Sequence, residues 1–84
     1  MTCAAAALQN DAIWLELKGY DVVPLNTKLT SQVYELSHSL RRGVAACPDS
    51  NRTSFYNVEL TDGLAYVHVH DETATVYLVA YVRN

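Results

Sequence analysis

The sequence predicts an α+β domain of two layers, in which two helices pack on one face of a three- to four-stranded antiparallel sheet. Three observations predict this fold. Apolar residues recur at helical spacing through the first half of the chain, apolar and polar residues alternate through the last third, and two short turn sequences divide that last third into strands. Because helices and strands are segregated along the chain, we expect the helices to cover one sheet face.

The first helix is predicted over residues 4–18. It begins with four alanines, the strongest helix formers, and Gly19 follows a basic residue, as is common where a helix ends. Residues 12–18 leave an alternative open, because their apolar side chains also alternate as in a strand. Residues 20–25 are expected to be extended, and Pro24 restricts them to an edge strand or a linker.

The second helix is predicted from one apolar stripe whose members lie three or four residues apart. The stripe consists of Leu29, Val33, Leu36, Leu40, Val44 and Cys47. Pro48 disfavours helical geometry at the residue before it, so the helix is expected to end there at the latest. Gly43 weakens the stripe from within and leaves open an earlier end.

The rest of the chain is predicted to form an antiparallel meander of three strands, over residues 54–60, 64–70 and 75–82. The turns at 61–63 and 71–73 carry glycine and acidic residues, which favour tight reversals. The last strand is rich in β-branched and aromatic residues throughout. The order helix, extended segment, helix and three strands completes a single domain over residues 1–84.

One face of this sheet is predicted to be rich in tyrosine and histidine. Valines of the middle strand are expected to face the helices, which leaves the other face to Tyr66, His68, His70, Tyr77 and Tyr81. This assignment depends on strand register, since a slip of one residue would exchange the two faces. Tyrosine is enriched at protein interfaces, so the face is interpreted as an interaction or dimerisation surface. Strand propensity alone and nucleic-acid stacking remain as alternatives.

Composition bounds the classes of function. The chain has 84 residues, six basic against nine acidic side chains and a formal net charge of −3, which argues against a general nucleic-acid binder. No apolar run reaches the roughly 18–20 residues that span a membrane. With two cysteines and no leader-like segment, we expect a cytoplasmic protein with reduced thiols.

The sequence carries no signature of catalysis or of a cofactor site. His68 and His70 could supply two metal ligands, but a zinc site needs three or four, so no metal is expected. Cys47 continues an apolar stripe, which is typical of a small core residue rather than of a nucleophile. The chain has no nucleophile-elbow motif and no glycine-rich phosphate loop.

The strand sequences FYNVEL, AYVHV and TVYLVAYVR, preceded by an amphipathic helix, resemble the RelE/ParE-type toxins of bacterial toxin–antitoxin pairs. The resemblance covers residues 29–83. It implies an endoribonuclease in which Arg52, Tyr81 and Arg83 would act on RNA, or an inactive relative. This sequence departs from such an activity because residues 48–84 hold only two basic residues against five acidic ones, and RNA cleavage requires stabilisation of negative charge.

The leading prediction is a small non-catalytic protein-interaction domain that binds a protein partner or a second copy of itself through the Tyr/His face. The RelE/ParE-like nuclease or its inactive relative is the alternative. A third possibility is an inhibitor encoded by a phage or mobile element, since small acidic proteins can block nucleic-acid-binding machines by offering negative surface. Nucleic acid and membrane partners are not expected under the leading prediction.

Overall fold

The computed structural model describes residues 12–83. They form one mixed sheet of six strands and one α-helix, α1 (Thr30–Arg42), which follows a 3-10 turn at Thr27–Leu29. The strands are β1 (Ile13–Leu15), β2 (Asp21–Pro24), β3 (Val44–Pro48), β4 (Phe55–Leu60), β5 (Gly63–His70) and β6 (Thr75–Arg83). Their order across the sheet is β1-β3-β4-β5-β6-β2.

The predicted fold class is therefore wrong in both layers. One helix packs on a six-stranded sheet, where two helices on three to four strands were expected. The strand alternative for residues 12–18 is the correct one, since Ile13–Leu15 pairs antiparallel with β3. Residues 4–11 of the predicted first helix lie outside the described residues.

The second helix is correct in position but ends earlier than Pro48. Gly43 adopts a φ of +94°, which a right-handed helix does not allow, and it turns the chain directly into β3. Val44 and Cys47, predicted as the last members of the helical stripe, are strand residues. Cys47 pairs with Asn57 of β4. The apolar stripe therefore lies on the helix only as far as Leu40, which is fully buried.

The meander predicted at the end of the chain is confirmed, since β4, β5 and β6 pair antiparallel in sequence order. The segment around Pro24 is an edge strand, as one of its two alternatives predicted. This strand, β2, runs parallel to β6, and its proline lies at the outer edge of the sheet where a missing N–H is tolerated.

The core lies between α1 and one face of the sheet. Leu36 and Leu40 of the helix are at most 1% exposed, and they pack with strand residues such as Val58, Val67 and Leu78, which are fully buried. Glu35 ties the same helix to the β4–β5 turn. One of its carboxylate oxygens accepts hydrogen bonds from the Thr61 backbone N–H at 2.7 Å and from the Thr61 hydroxyl at 2.6 Å.

No helix within residues 12–83 packs on the opposite side of the sheet, which we call the open face. Its side chains follow from the register, because residues directly opposite each other on neighbouring strands share a face. Phe55 lies opposite His68, and His68 lies opposite Tyr77. These pairs alternate with the buried pairs and therefore belong to the open face.

A β-bulge interrupts this alternation in β6. Tyr66 lies opposite Ala80 and Val67 opposite Leu78, which leaves Val79 as an extra residue in β6. Beyond the bulge the two faces are exchanged relative to simple alternation. Tyr77 consequently lies on the open face, whereas Tyr81 lies opposite the buried Ala65 and packs against the core.

Candidate interaction face

The structure gathers five ring side chains at one end of the open face. This open-face cluster consists of Phe55, Tyr66, His68, His70 and Tyr77. Alternation along β5 places three of them on one side of that strand, and cross-strand pairing adds one ring from each neighbouring strand. All except the exposed His70 are half-buried. Four of the five residues predicted for the interaction face are therefore brought together.

The rings make direct aromatic contacts. Phe55 and His68 stack with centroids 4.1 Å apart and planes within 4° of parallel. Phe55 also stacks on Tyr66 at 5.4 Å. His70 presents an edge to His68 at 4.6 Å and to Tyr77 at 5.6 Å. Such offset and edge-on pairs hold each other in place, so the cluster offers a preorganised aromatic surface.

The loop between β3 and β4 adds one cation and one anion to the cluster. The Arg52 guanidinium lies 4.0 Å from the centroid of the Phe55 ring, in cation–π geometry. The Tyr66 hydroxyl donates a short hydrogen bond to Asp49. This hydrogen bond raises the pKa of Tyr66 and lowers that of Asp49, whose carboxylate also accepts from the Asn51 backbone N–H. The nearby positive charge of Arg52 further lowers the pKa of Asp49.

His68 is held in its neutral form. Its pKa lies below the ordinary value of 6.5, first because burial among the rings disfavours the charged form. The positive charges of His70 and Arg52 lower it further. Arg52 and Asp49 carry opposite charges that offset each other, so the contact surface of the cluster is mainly its rings.

The cluster borders an open groove of about 290 Å³. The groove is lined by Leu25, Arg52, Phe55, His68, Tyr77 and Val79. Leu25 is 59% exposed at the end of β2, so an apolar rim continues the aromatic floor to the sheet edge. Val79 lies two residues after Tyr77 and reaches this groove from the same side of β6. The groove is thus bounded by apolar and aromatic side chains, with the Arg52 guanidinium as the one charged group among the lining residues that the structure describes.

Tyr81 was predicted to belong to the interaction face, but the bulge places it on the core side of the sheet. The residues that the RelE/ParE resemblance implies are also divided. Arg52 lies against Phe55 on the open face, whereas Tyr81 and Arg83 line a separate groove of about 490 Å³ beside the start of α1. Lys28 lines that second groove as well.

Sequence reasoning missed Phe55, Asp49 and Arg52 as members of this face. Phe55 could have been found, since any register that places His68 on the open face brings a neighbouring-strand residue beside it. The two loop residues carried no usable signal, because the conformation of residues 49–54 determines where they point. Among the described residues, no group of three or more potential metal ligands lies close enough together to hold an ion.

Two further expectations concern the surroundings of the protein. Cys47 is 6% exposed within β3, and the expectation of reduced thiols stays a prediction. Within residues 12–83, no helix has the length and apolar character needed to cross a membrane.

Comparisons with known proteins leave the site to be interpreted from its own geometry. No protein-family model, no curated protein and no solved structure matches this chain.

Proposed function

We propose that this chain is a small non-catalytic protein-interaction domain that self-associates through its open face. One observation carries the proposal: the open-face cluster presents stacked, half-buried rings on the side of the sheet that carries no helix of residues 12–83. Large rigid aromatic side chains with a polar tip are the residues most enriched at the centres of protein interfaces.

A second copy is a suitable partner because the rings of the open-face cluster can pack against the same rings of another copy. The charges of Arg52 and Asp49 offset each other, and His68 is neutral at pH 7 since its pKa is lowered. Two such clusters can therefore meet through their rings while Arg52 and Asp49 compensate each other, since burying an uncompensated charge is the usual obstacle to association. The tyrosine hydroxyls at the rim keep hydrogen-bonding capacity toward water or toward the other copy.

Molar mass in solution tests the proposal. We expect sedimentation velocity and light scattering to show a reversible monomer–dimer equilibrium, which Tyr77→Asp shifts to monomer by introducing a charge into the aromatic contact. Tyr34→Asp is the matched control, because it makes the same substitution on α1 at a side chain that is 82% exposed and away from the sheet. Circular dichroism of both variants establishes that each remains folded.

Two results would overturn self-association. A wild-type chain that stays monomeric up to about 1 mM has a dimerisation free energy weaker than about −4 kcal/mol, too weak to matter. Equal effects of the Tyr77 and Tyr34 substitutions would place the interface elsewhere.

The RelE/ParE-like nuclease remains a second candidate on a different surface. It is supported by the groove that Tyr81 and Arg83 line together with Lys28, in which no carboxylate takes part. Two cations beside a phenolic hydroxyl can hold a phosphate backbone. Growth arrest on expression, relieved by Arg83→Ala but not by Tyr77→Asp, would support this activity, and unimpaired growth at high expression would exclude it.

A further inference from the structure

A second candidate surface lies at the C-terminal end of α1, away from the open-face cluster. Trp14 of β1 is 67% exposed, although its indole packs against Gly43. Together with His38, Ser39 and Arg42 these two residues line a pocket of about 280 Å³, which we call the Trp14 pocket. An exposed tryptophan beside an arginine is the composition most often found at binding hot spots.

Among the described residues, the Trp14 pocket is lined by one cation, Arg42, and by hydrogen-bonding side chains. Arg42 Nη1 lies 3.2 Å from His38 Nε2, and Arg41 adds a second positive charge in the last turn of the helix. Within the described residues the one ion pair joins Lys18 and Glu16, so Arg42 has no carboxylate partner there. The helix C-terminus contributes about half a negative charge, which the two arginines outweigh.

The pocket adjoins β1, which is an outer strand of the sheet formed by residues 12–83. Sheet edges are commonly blocked by proline or charged residues, and the opposite edge strand β2 carries both, at Pro24 and Asp21. The other edge strand, β1, has the sequence Ile-Trp-Leu and carries neither. Ile13 is 41% exposed, so apolar surface accompanies the outer side of β1, with which no other strand of residues 12–83 pairs.

We propose that the β1 edge and the Trp14 pocket together bind an extended acidic segment of a partner protein. The segment would add as a further strand beside β1 and place a carboxylate against Arg42. Three edge residues offer only two or three main-chain hydrogen bonds, each with a net contribution of about 1 kcal/mol, so the charged contact is needed for useful affinity. A second copy is a poor occupant, because pairing two β1 edges would bring the arginines of both copies together.

Fluorescence gives a direct readout, since Trp14 is the single tryptophan of the chain. The probe is a capped alternating Val-Glu hexapeptide, and its Val-Lys counterpart is the matched control. We expect the Val-Glu peptide to shift the emission of Trp14 saturably, with an affinity that falls as salt is added. The Val-Lys peptide should leave the emission unchanged.

Variants of protein and peptide separate the two parts of the contact. Arg42→Gln should weaken the Val-Glu peptide about tenfold, the loss expected for one charge-assisted hydrogen bond. Thr73→Glu changes the net charge by the same single unit in the exposed β5–β6 turn and should leave the affinity unchanged. Two N-methylated Val-Glu peptides test strand addition, one methylated at the odd-numbered residues and the other at the even-numbered residues. Only one of the two patterns removes the N–H groups that face β1.

The proposal is overturned by any of three results. The first is an unchanged emission of Trp14 at millimolar Val-Glu peptide. The second is equal binding of the Val-Lys peptide, which would indicate apolar contact without charge selection. The third is unimpaired binding of both N-methylated peptides, which would exclude pairing with the β1 edge.

Discussion

Replacement of Gly43 by alanine tests how the helix is joined to the sheet. Gly43 combines two requirements that a side chain violates. Its φ of +94° with a ψ of 136° lies outside the regions that L-residues ordinarily occupy. A Cβ atom at this position would also lie 2.6 Å from Cε2 and 2.7 Å from Cζ2 of Trp14, and closer still to Nε1.

The two effects together should remove a large part of the stability of the domain. A backbone forced into such a region costs about 1–3 kcal/mol. Inserting a methyl group into an occupied space costs about 1–3 kcal/mol more, because the indole must be displaced. The sum, about 2–6 kcal/mol, compares with about 4–13 kcal/mol for the whole domain at the usual stability per residue. Gly43→Ala is thus expected to lower the free energy of unfolding by several kcal/mol.

Urea denaturation followed by far-UV circular dichroism measures this loss without depending on tryptophan. Gly19→Ala is the matched control, since Gly19 also has a positive φ, +82°, but a Cβ there would meet nothing within 4 Å. It should show the backbone part alone. The Trp14→Ala variant lacks the indole with which the added methyl group would clash. Gly43→Ala should therefore lower the free energy of unfolding by at least about 1 kcal/mol less in that variant than in the wild type. Additive effects, or a loss no greater than that of Gly19→Ala, would refute the steric reasoning.

Two further predictions concern titrating groups. The pKa of Glu35 lies below its ordinary value because the carboxylate accepts two hydrogen bonds from Thr61, so its contribution is present above that value and is lost as the pH falls through the pKa of the folded state. Glu35→Gln should therefore destabilise by about 1 kcal/mol at pH 7 and by less near pH 3, as urea midpoints would show; a pH-independent difference would contradict this. The pKa of His68 is lowered, so the unfolded chain binds the proton more readily and stability falls as the pH drops below about 6.5. His68→Phe should flatten the decline in the urea midpoint between pH 7.5 and 5.5, and an unchanged slope would show that other groups cause it.

The part of the candidate site that could be predicted is the part that a single strand determines. Tyr66, His68 and His70 follow one another at spacing two in β5, and alternation alone places them on one side of the chain. Tyr77 required the register of β6 as well. The prediction for Tyr81 was wrong because the bulge at Val79 puts Tyr77 and Tyr81 on opposite faces of the sheet. The sequence TVYLVAYVR of β6 contains no glycine or polar residue that marks the extra residue.

The end of the helix could not be predicted for a related reason. Val44 and Cys47 lie at helical spacing from Leu40, and the segment between them fits a strand equally well. Tertiary pairing determines that this segment is a strand, because β3 pairs with β1 on one side and with β4 on the other. The local sequence pattern carries no information about those partner strands. The same holds for residues 13–15, whose strand pairing depends on β3 having left the helix at Gly43.

The dimensions of the sheet set the strength of self-association that the open face can support. Six strands at about 4.8 Å spacing span about 24 Å, and strands of about six residues are about 20 Å long, which gives a projected face of about 500 Å². Stable complexes commonly bury about 800 Å² per partner, so a dimer formed through this face alone should be weak and reversible. Its formation cannot be what folds the chain, since the buried core between α1 and the sheet is complete within one copy. Tyr77→Asp should consequently separate the copies while the urea midpoint of the monomer stays near that of the wild type. A variant that unfolds when it dissociates would show instead that the open face belongs to the core of an obligate dimer.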